Sequence, residues 1–230
     1  MTILRTTPKD LLLQAATLHV PFDGWSAATF EAAVADSGVE RAVADSVCPR
    51  GAVDLAVQYH MDGNTAMVAR LAVADLAEMK FRDRVAAAVR FRIEAVEDKE
   101  IVRRGTALFA LPSYAGDGAK AIWGTADAIW TALGDTSEDV NWYTKRATLS
   151  AVYSATVLFW LGDTSDGYED TWAFLDRRIE NVMQIEKFKA QVKASPVLSK
   201  IMSGPNWLLG HVKAPQAGAG AGLPGRWTRS

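Results

Sequence analysis

A run of fifteen uncharged residues, Ala147–Leu161, constrains this chain more than any other stretch. Acidic residues stand just before the run, and the basic pair Lys145 and Arg146 leads into it. Acids favour the start of a helix, where exposed amides carry partial positive charge. The run is shorter than the ~20 apolar residues that a bilayer-spanning helix needs. It therefore predicts a central core helix, capped at Asp139 or Asn141, against which the other helices pack.

The composition is that of an ordinary globular protein, with 49% hydrophobic and 23% charged residues among 230. No Pro/Gly-rich linker divides the first 194 residues, which favours one large domain. Cys48 is the only cysteine, so an internal disulfide and a cysteine-based metal site are excluded. The N-terminus lacks the charge and apolar pattern of a signal peptide, and it is poor in arginine for a transit peptide. We expect a bacterial cytoplasmic protein, or one already processed.

The net charge of −2 hides an asymmetry between the body of the chain and its end. Residues 187–230 contain seven basic residues and no acidic one. Such a division predicts different partners for the two parts.

Apolar spacing predicts helices throughout, about nine in all, and no stretch alternates with period two as a strand does. The first three helices, with a Ser37-Gly38 turn between the second and third, form the helix-turn-helix pattern. On the first helix, Leu11, Leu12, Ala15 and Leu18 are predicted to face inward. The predicted helices outside the central one are Lys9–His19, Ala27–Asp36, Val39–Val47, Gly51–Lys80, Asp83–Asp98, Ile101–Leu111, Ala119–Leu133 and Tyr168–Lys193, with Gly134 as a C-cap.

The sequence offers no constellation for catalysis. The three histidines are scattered, no pair has metal-ligand spacing, and no phosphate loop or nucleophile turn is present. His60 on an apolar face is more often a satisfied core residue than a ligand, and Cys48 is more often a buried small side chain than a nucleophile. We expect neither an enzyme nor a bound cofactor or metal.

DNA binding is disfavoured by charge. Residues 1–60 carry four cations and seven acids. The presumed recognition helix pairs a single cation, Arg41, with Glu40 and Asp45. Such a surface repels a phosphate backbone, because binding requires Lys and Arg against the phosphates.

Aromatic and flexible apolar residues are dense in the middle of the chain. Such stripes are usual in an ordinary core, and they also suit an apolar pocket between helices for a lipid-like ligand, so both interpretations remain open. The hydroxyls of Tyr153 and Thr156 would be the polar atoms of that pocket. Its predicted lining is Met67, Leu71, Trp123, Trp130, Leu149, Val152, Tyr153, Thr156 and Trp160.

Trp142 and Tyr143, in the first turn of the central helix, also have two interpretations. They either staple the helix entry or form an exposed aromatic patch for a protein partner.

The segment 195–213 is amphipathic, although Gly204-Pro205 breaks it. It either folds back on the body or lies in a membrane interface with its lysines toward anionic head groups, and the absence of acids favours the membrane. The apolar residues concerned are Leu198, Ile201, Met202, Trp207 and Leu208. Residues 214–230 are rich in Gly, Ala and Pro, which predicts disorder.

One long run resembles a known family. The run is DVNWYTKRATLSAVYSATVLFWLGDTSDGYEDTWAFLDRRIENVM, with a weaker match in HVPFDGWSAATFEAAVADSGV. The elements Asn141-Trp142-Tyr143-Thr144 with Arg146, and Glu169-Asp170-Thr171-Trp172 with Phe174-Leu175, carry most of it. They are similar to the ubiquinone biosynthesis accessory family that is the ninth of the coenzyme Q (COQ) proteins, over roughly residues 10–190.

This resemblance implies an all-α, TetR-like helical bundle with a degenerate N-terminal helix-turn-helix. It implies a dimer that binds an isoprenoid quinone or phospholipid and sits on membranes by a C-terminal amphipathic helix. It also implies presentation of quinone precursors to a membrane-bound di-iron demethoxyubiquinone hydroxylase. The implied partner-facing patch matches Trp142 and Tyr143, with Phe91, Asp127 and Ile129 as further members.

The sequence therefore predicts a helix-turn-helix subdomain at 1–50, a lipid-binding bundle at 51–194, the membrane segment 195–213 and the tail 214–230. The predicted function is that of a non-catalytic accessory protein of ubiquinone synthesis. It would be peripheral on the bacterial inner membrane, or on the matrix side of the mitochondrial membrane in a eukaryote. The alternatives are a ligand-sensing TetR-type repressor and an enzyme acting on quinone head groups.

Overall fold

A computed structural model of the chain describes residues 7–194. Over that range the chain forms nine α-helices and one 3-10 turn (Asp166–Tyr168), without a strand, which confirms the all-helical expectation. The membrane residues Leu198, Ile201, Met202, Trp207 and Leu208 and the tail lie outside the described residues. The helices are α1 Pro8–Asp23, α2 Ala27–Ser37, α3 Arg41–Val47, α4 Ala52–Val73, α5 Phe81–Glu94, α6 Lys99–Phe109, α7 Ala115–Ala132, α8 Val140–Gly162 and α9 Glu169–Ala194.

The chain divides into two compact units. The first contains residues up to Ala69 together with Glu94–Ala121, and the second contains Arg70–Ile93 and the chain from Ile122 onward. The helix-turn-helix is thus part of a first unit that continues past residue 50, through most of α4 and all of α6.

Helix α1 organises the first unit, where it packs on α2, α3 and α6. Thr7 begins the helix with a capping box to Asp10. The predicted inward face was partly wrong, since Leu12 is fully buried but Leu18 is 69% exposed. The buried stripe instead follows Leu12, Leu13, Ala16 and Val20, because α2, α3 and α6 all pack on that side.

The helix-turn-helix forms as predicted. Ser26 caps α2 by accepting a hydrogen bond from the Thr29 amide, and Gly38 ends the helix in the left-handed region at φ 69°. Trp25 and Phe30 anchor these helices in the first core, at 6% and 5% exposure.

The prediction of one helix from Gly51 to Lys80 was wrong, since α4 ends at Val73. The guanidinium of Arg84 donates to the carbonyls of Ala77 and Met79 at 2.9 and 3.0 Å. A side chain from the next helix therefore satisfies carbonyls that a continuous helix would have paired with its own amides.

The second unit is built around α8, which packs on α9. Leu149, Tyr153, Thr156 and Trp160 of α8 are buried, which confirms its role as a core helix. The helix is not enclosed on every side, since Leu158 is 60% exposed. None of the described helices is both long and apolar enough to cross a bilayer.

Candidate functional site: an aromatic patch on a buried ion cluster

The junction between α7 and α8 is fixed at both ends by local backbone chemistry. Gly134 has φ 80°, and its amide bonds to the carbonyl of Thr131 while the amide of Asp135 bonds to Trp130. This pairing is a Schellman motif, as expected of a C-cap glycine. It places Asp135 directly beyond the end of α7.

Helix α8 then begins at its predicted N-cap. The Asp139 carboxylate accepts a hydrogen bond from the backbone amide of Asn141 at 2.9 Å and another from the side-chain amide of Asn141 at 2.8 Å. This cap places Trp142 and Tyr143 in the first turn.

Three half-buried aromatic residues, Trp123 of α7 with Trp142 and Tyr143 of α8, form what we call the aromatic patch. The Trp142 and Tyr143 rings meet edge to face with centroids 4.8 Å apart. The Trp123 ring lies 5.9 Å from Trp142 and 6.4 Å from Tyr143. These are favourable aromatic geometries, so the patch is an ordered cluster.

Four charged side chains, Asp127, Asp135, Lys145 and Arg146, form what we call the ion cluster. Arg146 donates from Nε to Asp127 at 2.6 Å and from a terminal nitrogen to Asp135 at 3.0 Å. Lys145 contacts the other oxygen of Asp135 at 2.8 Å. The side chains of Arg146 and Asp135 are only 3% and 2% exposed. Burial of this charge is tolerated because each charged group has an opposite partner within hydrogen-bond distance.

The ion cluster changes the acidity of Asp135. Burial alone would raise its pKa, but hydrogen bonds from Lys145, Ser137 and Arg146 outweigh burial and lower the pKa to about 2. Asp135 is therefore ionised at neutral pH, as both of its cationic partners require.

The predicted partner residues do not share one environment. Trp142 and Tyr143 are partly accessible, whereas Ile129 is fully buried and offers no side-chain surface to a partner. Phe91 lies on α5 with the Arg70 guanidinium carbon 4.0 Å from its ring centroid. The Asp127 carboxylate forms a salt bridge with Arg146 at 2.6 Å. We correct the predicted surface accordingly, by removing Ile129 from it.

The predicted lipid-lining residues are mostly core. Met67, a residue of the first unit, is fully buried. The Thr156 hydroxyl donates to the Val152 carbonyl at 2.8 Å, and Trp130 Nε1 donates to the Lys145 carbonyl at 3.1 Å. Trp123 belongs to the aromatic patch, and the Trp130 ring stacks on Phe81. Burial is common to a filled core and to a ligand site, so it does not distinguish them. The predicted residues of the second unit that are at most 8% exposed are Leu71, Leu149, Val152, Tyr153, Thr156 and Trp160.

The acidic character of the helix-turn-helix is also visible in its ion pairs. Arg41 contacts Glu31 at 2.6 Å and Asp45 at 2.9 Å. The one cation of the presumed recognition helix is thus held by two carboxylates.

Other predicted groups have structural neighbours. His60 Nε2 lies 2.9 Å from the Ala121 carbonyl, and Cys48 is 1% exposed, as expected. Among residues 7–194, no three His, Cys, Asp or Glu side chains are grouped as metal ligands.

The role of Asp135 escaped the sequence analysis. The signal available was a C-cap glycine, Gly134, followed at once by an acid. That pattern does not reveal which cation the acid meets.

The fold defines the class of protein. The chain resembles the solved structure of the TetR transcriptional regulator from Nitrosomonas europaea ATCC 19718 with a TM-score of 0.60, at 16% identity, over 75% of this chain and 95% of that one. The protein therefore has the TetR-like all-α fold. Such a likeness concerns the fold and not the function.

The sequence relatives identify the family. The COQ9 family model matches residues 115–186, a range that contains the aromatic patch and the ion cluster. The chain is 29% identical over 195 residues to the mitochondrial ubiquinone biosynthesis protein COQ9 of Homo sapiens, covering 80% of this chain and 60% of that protein. For COQ9 of Xenopus tropicalis the identity is 31%, with the same coverage. The chain belongs to the COQ9 family, and it spans about three fifths of the length of these relatives.

Proposed function

We propose that this chain is a non-catalytic accessory protein of ubiquinone biosynthesis. The observation that carries the proposal is the aromatic patch, held on a buried ion cluster inside the segment that matches the COQ9 family. Two relatives are named as ubiquinone biosynthesis proteins. A partly accessible Trp–Tyr pair on a rigid base has the character of a protein-binding hot spot.

The partner that we propose for the patch is the membrane-bound di-iron demethoxyubiquinone hydroxylase implied by the family resemblance. The double variant W142A/Y143A should keep its helical content and lose most of its hydroxylase binding. The matched control is Phe22→Ala, which removes an aromatic ring that is 80% exposed in the first unit. Equal retention of hydroxylase by the wild type and the double variant would refute the patch assignment.

The proposed cargo is an isoprenoid quinone or a phospholipid held among the apolar residues of the second unit. Burial in protein in place of bilayer hydrocarbon changes the free energy of an isoprenoid chain little, so capture is reversible. Mass spectrometry of lipids extracted from the purified protein tests this directly. Recovery of no prenyl lipid or phospholipid above a mock purification would contradict it.

The proposed location is peripheral, at an anionic membrane surface, through residues 195–213. Those residues lie outside the described structure, and the support is their amphipathic sequence and the lack of acids from 187 onward. Binding to vesicles containing anionic lipid should weaken as salt rises and should be lost in a chain ending at residue 194. Salt-independent binding would argue against charge as its source.

The proposed homodimer has support on one face of α8. The exposed residues there run from Ala147 to Gly162, roughly 22 Å of helix, and they carry no charge. Leu158 and Phe159 are its large apolar members. Leu158→Glu should therefore yield a monomer by sedimentation, whereas Val73→Glu, at a residue 84% exposed on α4, should not.

The alternative of a DNA-binding repressor rests on the fold alone. We propose against it because Arg41 is held between Glu31 and Asp45. A gel-shift with the upstream DNA should show no complex at physiological salt. An enzyme acting on quinone head groups would turn over substrate without a partner, which the purified protein should not do.

A further inference from the structure

Arg146 is the most buried cation of the α7–α8 junction, with 2% of the whole residue exposed. Its guanidinium has two carboxylate partners, Asp127 on α7 and Asp135 beyond the end of α7. A buried arginine held by two carboxylates has little freedom to rotate, because a change of rotamer would leave buried charges unpaired. Arg146 is therefore a fixed point in this region of the second unit.

Trp142 is attached to this fixed point in two ways. A terminal nitrogen of Arg146 donates to the Trp142 carbonyl at 3.2 Å. The guanidinium carbon also lies 4.0 Å from the centroid of the Trp142 ring, a close cation–π contact. Both the backbone and the ring of Trp142 are thus held by one side chain.

The orientation of Arg146 is in turn determined by the junction. Asp135 is placed by the Schellman motif at Gly134, and its second oxygen is held by Lys145 and the Ser137 hydroxyl, both of which contact it at 2.8 Å. Asp127 comes from the same helix as Trp123, the third ring of the patch. The ion cluster therefore joins both helices that supply the aromatic rings.

We infer that Arg146, Asp127 and Asp135 are positioning residues that preorganise the aromatic patch for its protein partner. The inference rests on the proposed function and deepens it. Asp127, which the resemblance places among partner contacts, acts inward on Arg146 instead of touching the partner. Preorganisation raises affinity because the partner does not have to order the Trp142 ring when it binds.

The test labels the tryptophans with 5-fluorotryptophan and follows the Trp142 resonance by ¹⁹F NMR, with W142F used for assignment. Arg146→Met should shift and broaden the Trp142 resonance and weaken hydroxylase binding about tenfold or more, while Arg146→Lys restores part of both. The matched control is Arg50→Met, which removes another arginine held by two carboxylates, Asp54 and Asp117, in the first unit. It should leave the Trp142 resonance and the affinity unchanged.

Asp135→Asn serves as the second variant if Arg146→Met does not fold. It removes one of the two carboxylates that bind Arg146 and keeps the size of the side chain. It should broaden the Trp142 resonance to a smaller extent. A sharp, unshifted Trp142 resonance in folded Arg146→Met, or unchanged affinity while W142A/Y143A loses binding, would overturn the inference. If W142A/Y143A itself binds normally, the proposed partner site fails, and the resonance alone still decides whether Arg146 orders Trp142.

Discussion

The guanidinium carbon of Arg146 lies 4.0 Å from the centroid of the Trp142 ring, one helical turn earlier on α8. The same guanidinium donates to Asp127 through Nε and to Asp135 through a terminal nitrogen. One buried cation thus connects the accessible aromatic surface with the end of α7. The stability and acid response of this region should therefore depend on the ion cluster.

Asp135 should make the protein more stable above pH 5 than at pH 2. Its pKa is about 2 in the folded chain, below the ordinary 3.8, so its contribution is present above the ordinary value and lost as pH falls towards 2. The contribution amounts to about 2 kcal/mol. Asp135→Asn should lower the free energy of unfolding at pH 7 and flatten its dependence on pH between 5 and 2, as measured by urea titration.

Part of the pH dependence of the free energy of unfolding should remain in the Asp135→Asn variant, because Asp163 also has a lowered pKa. The hydrogen bond from the Thr171 hydroxyl is the main cause that lowers the Asp163 pKa to about 2. Between pH 6 and 8 the variant and the wild type should have equal slopes. An unchanged slope below pH 5 would show that Asp135 is not held as described.

Gly134→Ala should reduce stability by about 1 kcal/mol. The residue has φ 80° and open space around it, so the loss comes from the backbone and not from a clash. Gly134→Asn should lose less, because asparagine tolerates the left-handed region. Thermal melts of the two variants give the comparison, and equal losses would contradict the backbone explanation.

Gly118→Ala should be destabilising by about 1–3 kcal/mol through overpacking. A Cβ at this position would lie 2.8 Å from the Phe109 Cβ, an atom with little freedom to move. Gly116→Ala is the matched control on the same helix, where an added Cβ meets nothing within 4 Å. It should be neutral or slightly stabilising, since alanine favours helix over glycine.

Cys48 should be unreactive in the folded protein. It is 1% exposed, and burial raises its pKa to about 11, so little thiolate forms at pH 8. A thiol reagent should detect no cysteine in buffer and one in guanidinium chloride. Rapid reaction without denaturant would show that the first core opens at Cys48.

Several features were predictable because they depend on neighbouring residues. The helix caps at Ser26 and Asp139, the glycine stop at Gly134 and the absence of strands within 7–194 all follow from side chains a few positions apart. An internal disulfide is excluded because the chain has a single cysteine. The family resemblance likewise rests on a contiguous run of residues.

Other features were decided by contacts between distant residues. Between α4 and α5, the Arg84 guanidinium bonds to the carbonyls of Ala77 and Met79, and the buried face of α1 depends on which helices pack there. Local helix propensity favours continuation in the first case and cannot choose between two apolar stripes in the second.

By itself the sequence determined that the chain is helical, that its helix-turn-helix is acidic and that Trp142 and Tyr143 open a core helix. Only the tertiary structure decided that Asp127 turns inward, that Ile129 is enclosed and that Arg146 supports the Trp142 ring. The physical reason is range: capping and periodicity act within one or two turns of the chain. The pairing of a buried charge depends instead on where two helices bring groups from separate parts of the sequence together.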